Sequence, residues 1–240
     1  MKILLLPLSV LIFLGIGCDY LDPVKNTDLG NKTPEMIDDE GSSEVILLIN
    51  NTLQNRNHFI DLRNRNITDL SLLKSLSYLE ALYLEDNYIE DLSGITNFKN
   101  LKDLRLSKNY ISNLVPISEL RNLTRLYLEE NKIADLSPLK GLTNLKQLRA
   151  WENRITDLSP LANHVRLKEL YLSQNNINDI SDLSEMKNLK KLSLWGNEIS
   201  DVTPLLELTN LRELELSHNN IPNEQKRLLE KALPNTDISW

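Results

Sequence analysis

A leucine recurs at every twenty-second position through most of this 240-residue chain. The leucines in register are Leu79, Leu101, Leu123, Leu145, Leu167, Leu189 and Leu211. A fixed period of this size indicates a solenoid, in which one repeat cannot bury its apolar face alone and must stack on its neighbours. We therefore expect a row of stacked coils rather than a conventional globular core.

Each repeat follows the pattern L-x-x-L-x-L-x-x-N-x-I-x-x-L, and residues 123–136 are a complete copy. An earlier copy starts at Asn57 with Arg65 in the Asn position, so eight repeats occupy residues 57–222. The alternating x-L-x-L segment predicts a short strand with one buried face. The Ser-Pro segments in the second half break regular helix and favour 3₁₀ turns on the convex side.

The pattern resembles the leucine-rich repeat, and residues 135–144 and 157–161 resemble the 22-residue class of bacterial internalins. The resemblance extends over residues 57–222, which are most of the chain. It implies an α/β solenoid, a leucine-rich repeat horseshoe with a parallel concave sheet, convex 3₁₀ turns and helical caps at both ends.

Asparagine accompanies leucine at the ninth position of the repeat, and the chain contains 51 Leu and 28 Asn. An Asn amide both donates and accepts, so it can satisfy backbone groups where the chain leaves each strand. We expect a buried structural ladder formed by Asn87, Asn109, Asn131, Asn153, Asn175, Asn197 and Asn219.

An open solenoid exposes its core at both ends, so caps are expected. Residues 43–56 predict an N-terminal cap helix after Ser43. Residues 223–240 predict a C-terminal cap with an amphipathic helix, followed by a last strand that ends at Trp240. Leu228, Leu229, Ala232 and Leu233 are expected to share the packed face of that helix.

The N-terminus has the pattern of a targeting segment, because Lys2 precedes an apolar run of signal-peptide length. Residues 1–17 are thus predicted to be a signal peptide, ending before the only cysteine, Cys18. Gly17-Cys18 resembles the lipobox of bacterial lipoproteins, although Gly15 stands where that family usually has Leu. The resemblance implies lipidation of Cys18; the alternative is an ordinary secreted protein with an incidental cysteine.

Residues 18–42 are acidic and interrupted by Pro and Gly, which predicts a flexible tether. The expected location is the bacterial cell envelope, on either the inner or the outer membrane, with the lipid as the anchor. The formal net charge of −7 argues against a nucleic-acid partner. We expect a monomer.

The sequence lacks the motifs of common catalytic sites: no nucleophile elbow, phosphate loop, zinc-protease helix or calcium loop is present. We therefore expect no enzymatic activity, cofactor or metal. His164 occupies a repeat position that holds Leu in most copies, so a core role is favoured over metal ligation. The pair Glu129-Glu130 could suggest a glycosidase, but solvated acids are far commoner on a solenoid.

The variable strand positions should face the concave side, where Tyr and Arg alternate and two Trp residues follow. These side-chain types are enriched at binding hot spots. The candidate partner-binding residues are Tyr83, Arg105, Tyr127, Arg149, Trp151, Tyr171 and Trp195. The predicted partner is a protein or a glycan. Alternatively, the Tyr and Arg side chains only stiffen the sheet, and the protein is a structural scaffold of the envelope.

Overall fold

The computed structural model describes residues 39–240, with side chains from residue 43 onward. Its main element is one parallel sheet of nine strands in chain order. The strands β1 to β9 are Phe59–Asp61, Ala81–Tyr83, Asp103–Arg105, Arg125–Tyr127, Gln147–Arg149, Glu169–Tyr171, Lys191–Ser193, Glu213–Glu215 and Asp237–Ser239. The predicted leucine-rich repeat solenoid is confirmed.

The strand register follows from the repeat period. Tyr83 pairs with Arg105, Arg105 with Tyr127, and Tyr127 with Arg149, each one full repeat further along the chain. The last strand breaks this spacing, because Leu214 pairs with Ile238. Since register places the same repeat position side by side in every coil, any feature at one position becomes a column along the sheet.

Short 3₁₀ turns form the convex side, as the Ser-Pro segments predicted. They are Ser71–Leu76, Ser93–Ile95, Val115–Ile117, Ser137–Leu139, Ser159–Leu161, Ser181–Leu183 and Thr203–Leu205. Several turns are preceded, two residues earlier, by an aspartate that binds their first residue. Asp135, for example, accepts hydrogen bonds from the Ser137 N–H at 2.7 Å and from the Ser137 hydroxyl at 2.8 Å. Proline follows at the second turn residue in four turns, where a missing N–H is tolerated.

One continuous core of leucine and isoleucine runs between the sheet and the turns. The asparagine ladder lies beside it and is confirmed. Asn87 accepts from the Ile67 N–H at 2.9 Å and donates to the carbonyls of Leu62 and Leu84, both at 2.9 Å. Asn131, Asn153 and Asn219 make the same contacts while only half-buried, so the ladder is not buried throughout.

Helix α1, Asp39–Asn55, covers the N-terminal end of the solenoid through Val45, Ile49 and Thr52. It begins four residues before Ser43, within the stretch expected to be tether. The apolar pattern predicts only the residues of a helix that pack against the core. The helical backbone itself extends further towards the N-terminus than the first packed residue.

Helix α2, Asn223–Ala232, lies at the other end and precedes β9. Its packed face is narrower than expected: Leu229 and the C-cap residue Leu233 are buried and Ala232 is partly buried, while Leu228 is 42 % exposed. Neighbouring helix residues point about 100° apart, so Leu228 and Leu229 cannot both point into a thin cap.

The predicted signal peptide (1–17), Cys18 and the tether up to residue 38 lie outside the described residues. Within residues 39–240, no helix combines the length and apolar character needed to cross a bilayer.

Candidate functional site

The concave face is built from the outer residues of each three-residue strand. The central Leu of a strand such as Gln147–Arg149 is buried, while its two neighbours are half-buried. The residue two positions after each strand, at the seventh position of the repeat, continues this face. The sheet therefore presents three parallel columns of variable side chains.

The fifth repeat position forms a stacked column of tyrosine rings and guanidinium groups. The Arg105 guanidinium carbon lies 3.9 Å from the centre of the Tyr83 ring and 4.8 Å from that of Tyr127. The Arg149 guanidinium lies 5.0 Å from Tyr127 and 4.9 Å from Tyr171. Each arginine is thus held between two aromatic rings, which fixes its plane.

The two stacked arginines differ in their counter-ions. Arg105 lies 3.4 Å from the Asp103 carboxylate and 3.9 Å from Glu85. Arg149 forms no ion pair within 4.0 Å among the described residues, and its buried Nε has no hydrogen-bond partner there. Arg149 therefore keeps a positive charge that no carboxylate of the described solenoid contacts.

The hydroxyls of the tyrosine column are held by neighbouring polar groups. Tyr127 donates to Gln147 at 2.7 Å, Gln147 donates to Glu169 at 2.8 Å, and Tyr171 donates to Glu169 at 3.3 Å. Burial, followed by the nearby Glu169 charge, raises the pKa of Tyr171 to about 12. These rings stay neutral at physiological pH and act as rigid supports.

Trp151 lies on the same coil as Arg149, two residues further along the chain. Its indole is half-buried, and its N–H makes no hydrogen bond to any residue from 43 to 240. An indole N–H that is open on a concave surface is available to an external acceptor.

Trp195 has a partner that the sequence did not reveal. Its indole N–H donates to Nδ1 of His218 at 2.8 Å, and the two rings pack edge to face with centres 5.2 Å apart. The repeat pattern alone places this side chain toward solvent without structural contacts. Because Trp195 and His218 are 23 residues apart, only the stacking of adjacent coils brings them together.

Glu129 is buried beside Arg149 and Trp151 and accepts a hydrogen bond from the Ser107 hydroxyl. Burial raises the pKa of the Glu129 carboxyl, while the Ser107 hydrogen bond and the Arg149 charge oppose that rise. Glu129 is therefore part of the wall of this surface.

A second aromatic column lies at the tenth repeat position and was missed. The Tyr88 and Tyr110 rings stack with centres 6.0 Å apart, and the Lys132 ammonium lies 4.7 Å from the Tyr110 ring centre. The signal in the sequence is the spacing, because the tenth position holds Tyr88, Tyr110, Lys132 and Arg154 in successive repeats. Aligning this position across the repeats would have identified the stacked pair Tyr88 and Tyr110.

The described residues contain no cluster of His, Cys, Asp and Glu that could hold a metal ion. His164 is fully buried, and its Nδ1 lies 3.2 Å from the Leu161 carbonyl. Its position agrees with the expected core role.

A family model described as leucine-rich repeats (two copies) matches residues 99–141, 143–185 and 187–225, about half of the chain. No curated protein matches the chain.

Several solved structures are similar to the chain. Internalin C2 from Listeria monocytogenes is 36 % identical with a TM-score of 0.55, over 64 % of this chain and 78 % of that one. A leucine-rich repeat protein of Leptospira interrogans is 27 % identical with a TM-score of 0.66, over 82 % and 57 %.

A plant receptor is also similar. The ectodomain of a receptor kinase from Arabidopsis thaliana, solved in complex with Casparian strip integrity factor 2, is 28 % identical with a TM-score of 0.56, over 63 % of this chain and 20 % of that one. The chain thus spans little more than half of the Leptospira protein and a fifth of the plant ectodomain.

Proposed function

Because this chain belongs to the leucine-rich repeat family, we propose that it is a non-enzymatic recognition protein of the bacterial envelope whose concave face binds a protein or glycan partner. Proteins with these repeats typically mediate interactions rather than catalysis. The plant ectodomain was solved with a bound partner, which supports a binding role for the repeat surface.

The observation that carries the proposal is the pair Arg149 and Trp151. Arg149 is held rigid between two tyrosines and has no carboxylate within 4.0 Å among the described residues, unlike Arg105 in the same column. Trp151 beside it has an indole N–H without an intrachain acceptor in residues 43–240. A guanidinium and an indole that are ordered but unsatisfied are prepared for a partner, because binding them costs little conformational entropy.

The chemistry of this pair defines the group that the partner presents. A carboxylate would accept from the Arg149 guanidinium, and an adjacent apolar surface or sugar ring would lie against the Trp151 indole. Tyr127 and Tyr171 flank Arg149 on the two adjacent strands. Tyr83, Arg105 and Trp195 extend the surface on either side of it.

Substitution of Trp151 by Ala tests this assignment. The soluble domain would be used to capture partners from host extracts and from the producer's own envelope. W151A should weaken binding of a captured partner by about 2 kcal/mol, roughly 30-fold, because a hot-spot aromatic is lost. Its melting temperature should change little.

R149A should weaken binding of the same partner. R154A is the matched control, because it removes one exposed arginine that lies outside the concave columns. Equal effects of R149A and R154A would mean that only net charge matters. W195A is a less specific probe, because it also removes the contact with His218.

One observation favours the scaffold alternative: Arg105 already contacts Tyr83 and Asp103, so its interactions are satisfied within the chain. It expects R149A and W151A to lower the unfolding free energy while the affinity for every captured partner stays unchanged. A loss of affinity at constant stability rejects it.

The envelope location rests on the signal-length segment and Cys18 in the sequence. A lipid on Cys18 would anchor the protein to a membrane, and the following residues would hold the solenoid away from the lipid surface.

A further inference from the structure

The second position of the repeat, one residue before each strand, carries a file of cations in the last four coils. Its members are Lys146, Lys168, Lys190 and Arg212, and all four are exposed. The backbone fixes their order: the Lys168 N–H donates to the Lys146 carbonyl at 2.8 Å, and the Lys190 N–H donates to that of Lys168 at 2.8 Å. Adjacent members are therefore one strand spacing apart, about 4.8 Å along the solenoid.

None of these four side chains forms an ion pair within 4.0 Å in the part of the chain that the structure describes. The contrast lies in the third coil, where Lys102 occupies the same position and contacts Glu80 at 2.7 Å. The nearest acids in sequence are engaged elsewhere, because Glu169 accepts from Gln147 and Glu213 pairs with Lys191. The file thus keeps its positive charge.

Folding does not explain this arrangement. Like charges one strand apart repel each other, and no described carboxylate lies within 4.0 Å of these four cationic groups. The backbone beneath is rigid, since Asn188 and Asn210 donate to carbonyls of the preceding coil at 2.8 and 2.7 Å. Arg166 adds a further cation beside the file and is oriented by a 2.6 Å hydrogen bond to Asn144.

The acidic net charge of the protein resides elsewhere. Residues 1–42 contain seven Asp and Glu against three Lys. At the entry of the convex turns, the thirteenth repeat position carries Asp135, Asp157, Asp179 and Asp201. The overall value of −7 therefore conceals this local row of cations.

We propose that this cationic file, formed by Lys146, Lys168, Lys190 and Arg212, is a second binding surface and takes an acidic polysaccharide lying along the solenoid axis. A single file of one cation per coil matches a linear polyanion whose charges recur along one line. A lipid surface would instead require cations spread over two dimensions. This surface lies on the edge of the sheet, distinct from the concave columns, and does not depend on the function proposed for them.

The test measures binding of the full-length chain, in non-ionic detergent, to heparin and to polygalacturonate, with neutral dextran as the blank. Heparin carries sulfates and carboxylates, whereas polygalacturonate carries carboxylates alone, so the pair identifies the anionic group. The triple variant K146Q/K168Q/K190Q should weaken binding at least 10-fold at 0.15 M salt. A plot of log K against log salt concentration has a negative slope, and its magnitude should decrease by about 2 to 3. The reason is that the variant has three fewer cations whose binding releases counterions.

K74Q/K140Q/K231Q is the matched control, since it removes three exposed lysines from the convex side and helix α2. It should bind as wild type does, within 2-fold. W151A should also bind heparin normally, so loss of the concave site and loss of the file are separable results.

Four outcomes would overturn the proposal: no binding of either polysaccharide, an equal loss in the control triple variant, tighter binding to phosphatidylglycerol vesicles than to heparin, or equal affinity for duplex DNA. The last two would assign the file to a membrane or to nucleic acid.

Discussion

Single asparagines connect one coil to the next through at least three backbone groups each. Asn153 accepts from the Ile133 N–H at 2.9 Å and donates to the carbonyls of Leu128 and Ala150 at 2.9 and 3.2 Å. Removing such a side chain leaves several backbone groups without partners, so the amide has a structural role and is not a ligand for a partner.

N153A should therefore lower the unfolding free energy by about 1–3 kcal/mol. Urea denaturation followed by circular dichroism measures this. N163A is the control, because Asn163 is exposed on the convex side. An unchanged urea midpoint in N153A would count against the ladder as a stabilising element.

The residue before each ladder asparagine adopts a left-handed backbone. Glu152 has φ of 52°, Gln174 has 50°, and Gly196 has 66° at the same repeat position. A side chain at such a φ is strained by about 1 kcal/mol, and glycine is not.

E152G should consequently be more stable than E152A by about 1 kcal/mol. The reverse order is expected at Glu198, an exposed residue of ordinary φ in the next-but-one coil. Thermal unfolding of the four variants measures both differences. If alanine were as stable as glycine at position 152, the strain would be absent.

At the scale of one element, the fifth coil contains a core position that departs from the repeat. His164 is fully buried, its Nε2 has no hydrogen-bond partner among the described residues, and burial lowers its pKa. The equivalent residues Leu142 and Leu208 are buried too. A lowered pKa in the folded state means that the unfolded chain binds a proton first as the pH falls.

The titration of His164 therefore lowers the unfolding free energy as the pH drops from its unfolded pKa of about 6.5 towards the lowered folded value, and this loss is absent at higher pH. H164L should raise the unfolding free energy by about 1–3 kcal/mol at pH 7, because a buried unsatisfied nitrogen is removed. The gain should be larger at pH 5. Equal gains at both pH values, measured by urea denaturation, would mean that His164 does not titrate with unfolding.

For the whole molecule, the solenoid offers two chemically different surfaces: a concave face with aromatic and guanidinium groups, and an edge with unpaired cations. A lipid on Cys18 would place both on a membrane-anchored domain. A tethered recognition domain gains effective concentration for partners in the same envelope.

C18S should release the protein from membranes or leave its precursor uncleaved. Fractionation of cells that express each form, with immunodetection of precursor and mature protein, measures this. C18S that is still found with membranes at mature size would contradict the lipoprotein hypothesis. A serine substitution in the tether, such as T27S, controls for expression level.

The repeat period was enough to derive the fold. Each repeat has an inward-facing Leu at the same position, and only one register between the strands of successive coils buries all of these leucines. The asparagine ladder and the convex turns followed for the same reason, since each depends on residues within one repeat and its neighbour. The Tyr and Arg column was also readable from spacing alone.

Contacts between variable side chains were not readable in this way. The pairing of Trp195 with His218 depends on rotamers and on how closely adjacent coils pack. The same holds for the ion pair within 4.0 Å that Arg105 forms and Arg149 does not. The lysine file itself follows from the spacing, because Glu80 and Lys102 share the second repeat position in adjacent coils. Only the structure shows that its four members form no ion pair within 4.0 Å among the described residues. The repeat period determines the backbone position of each side chain, whereas tertiary packing determines which groups that side chain contacts.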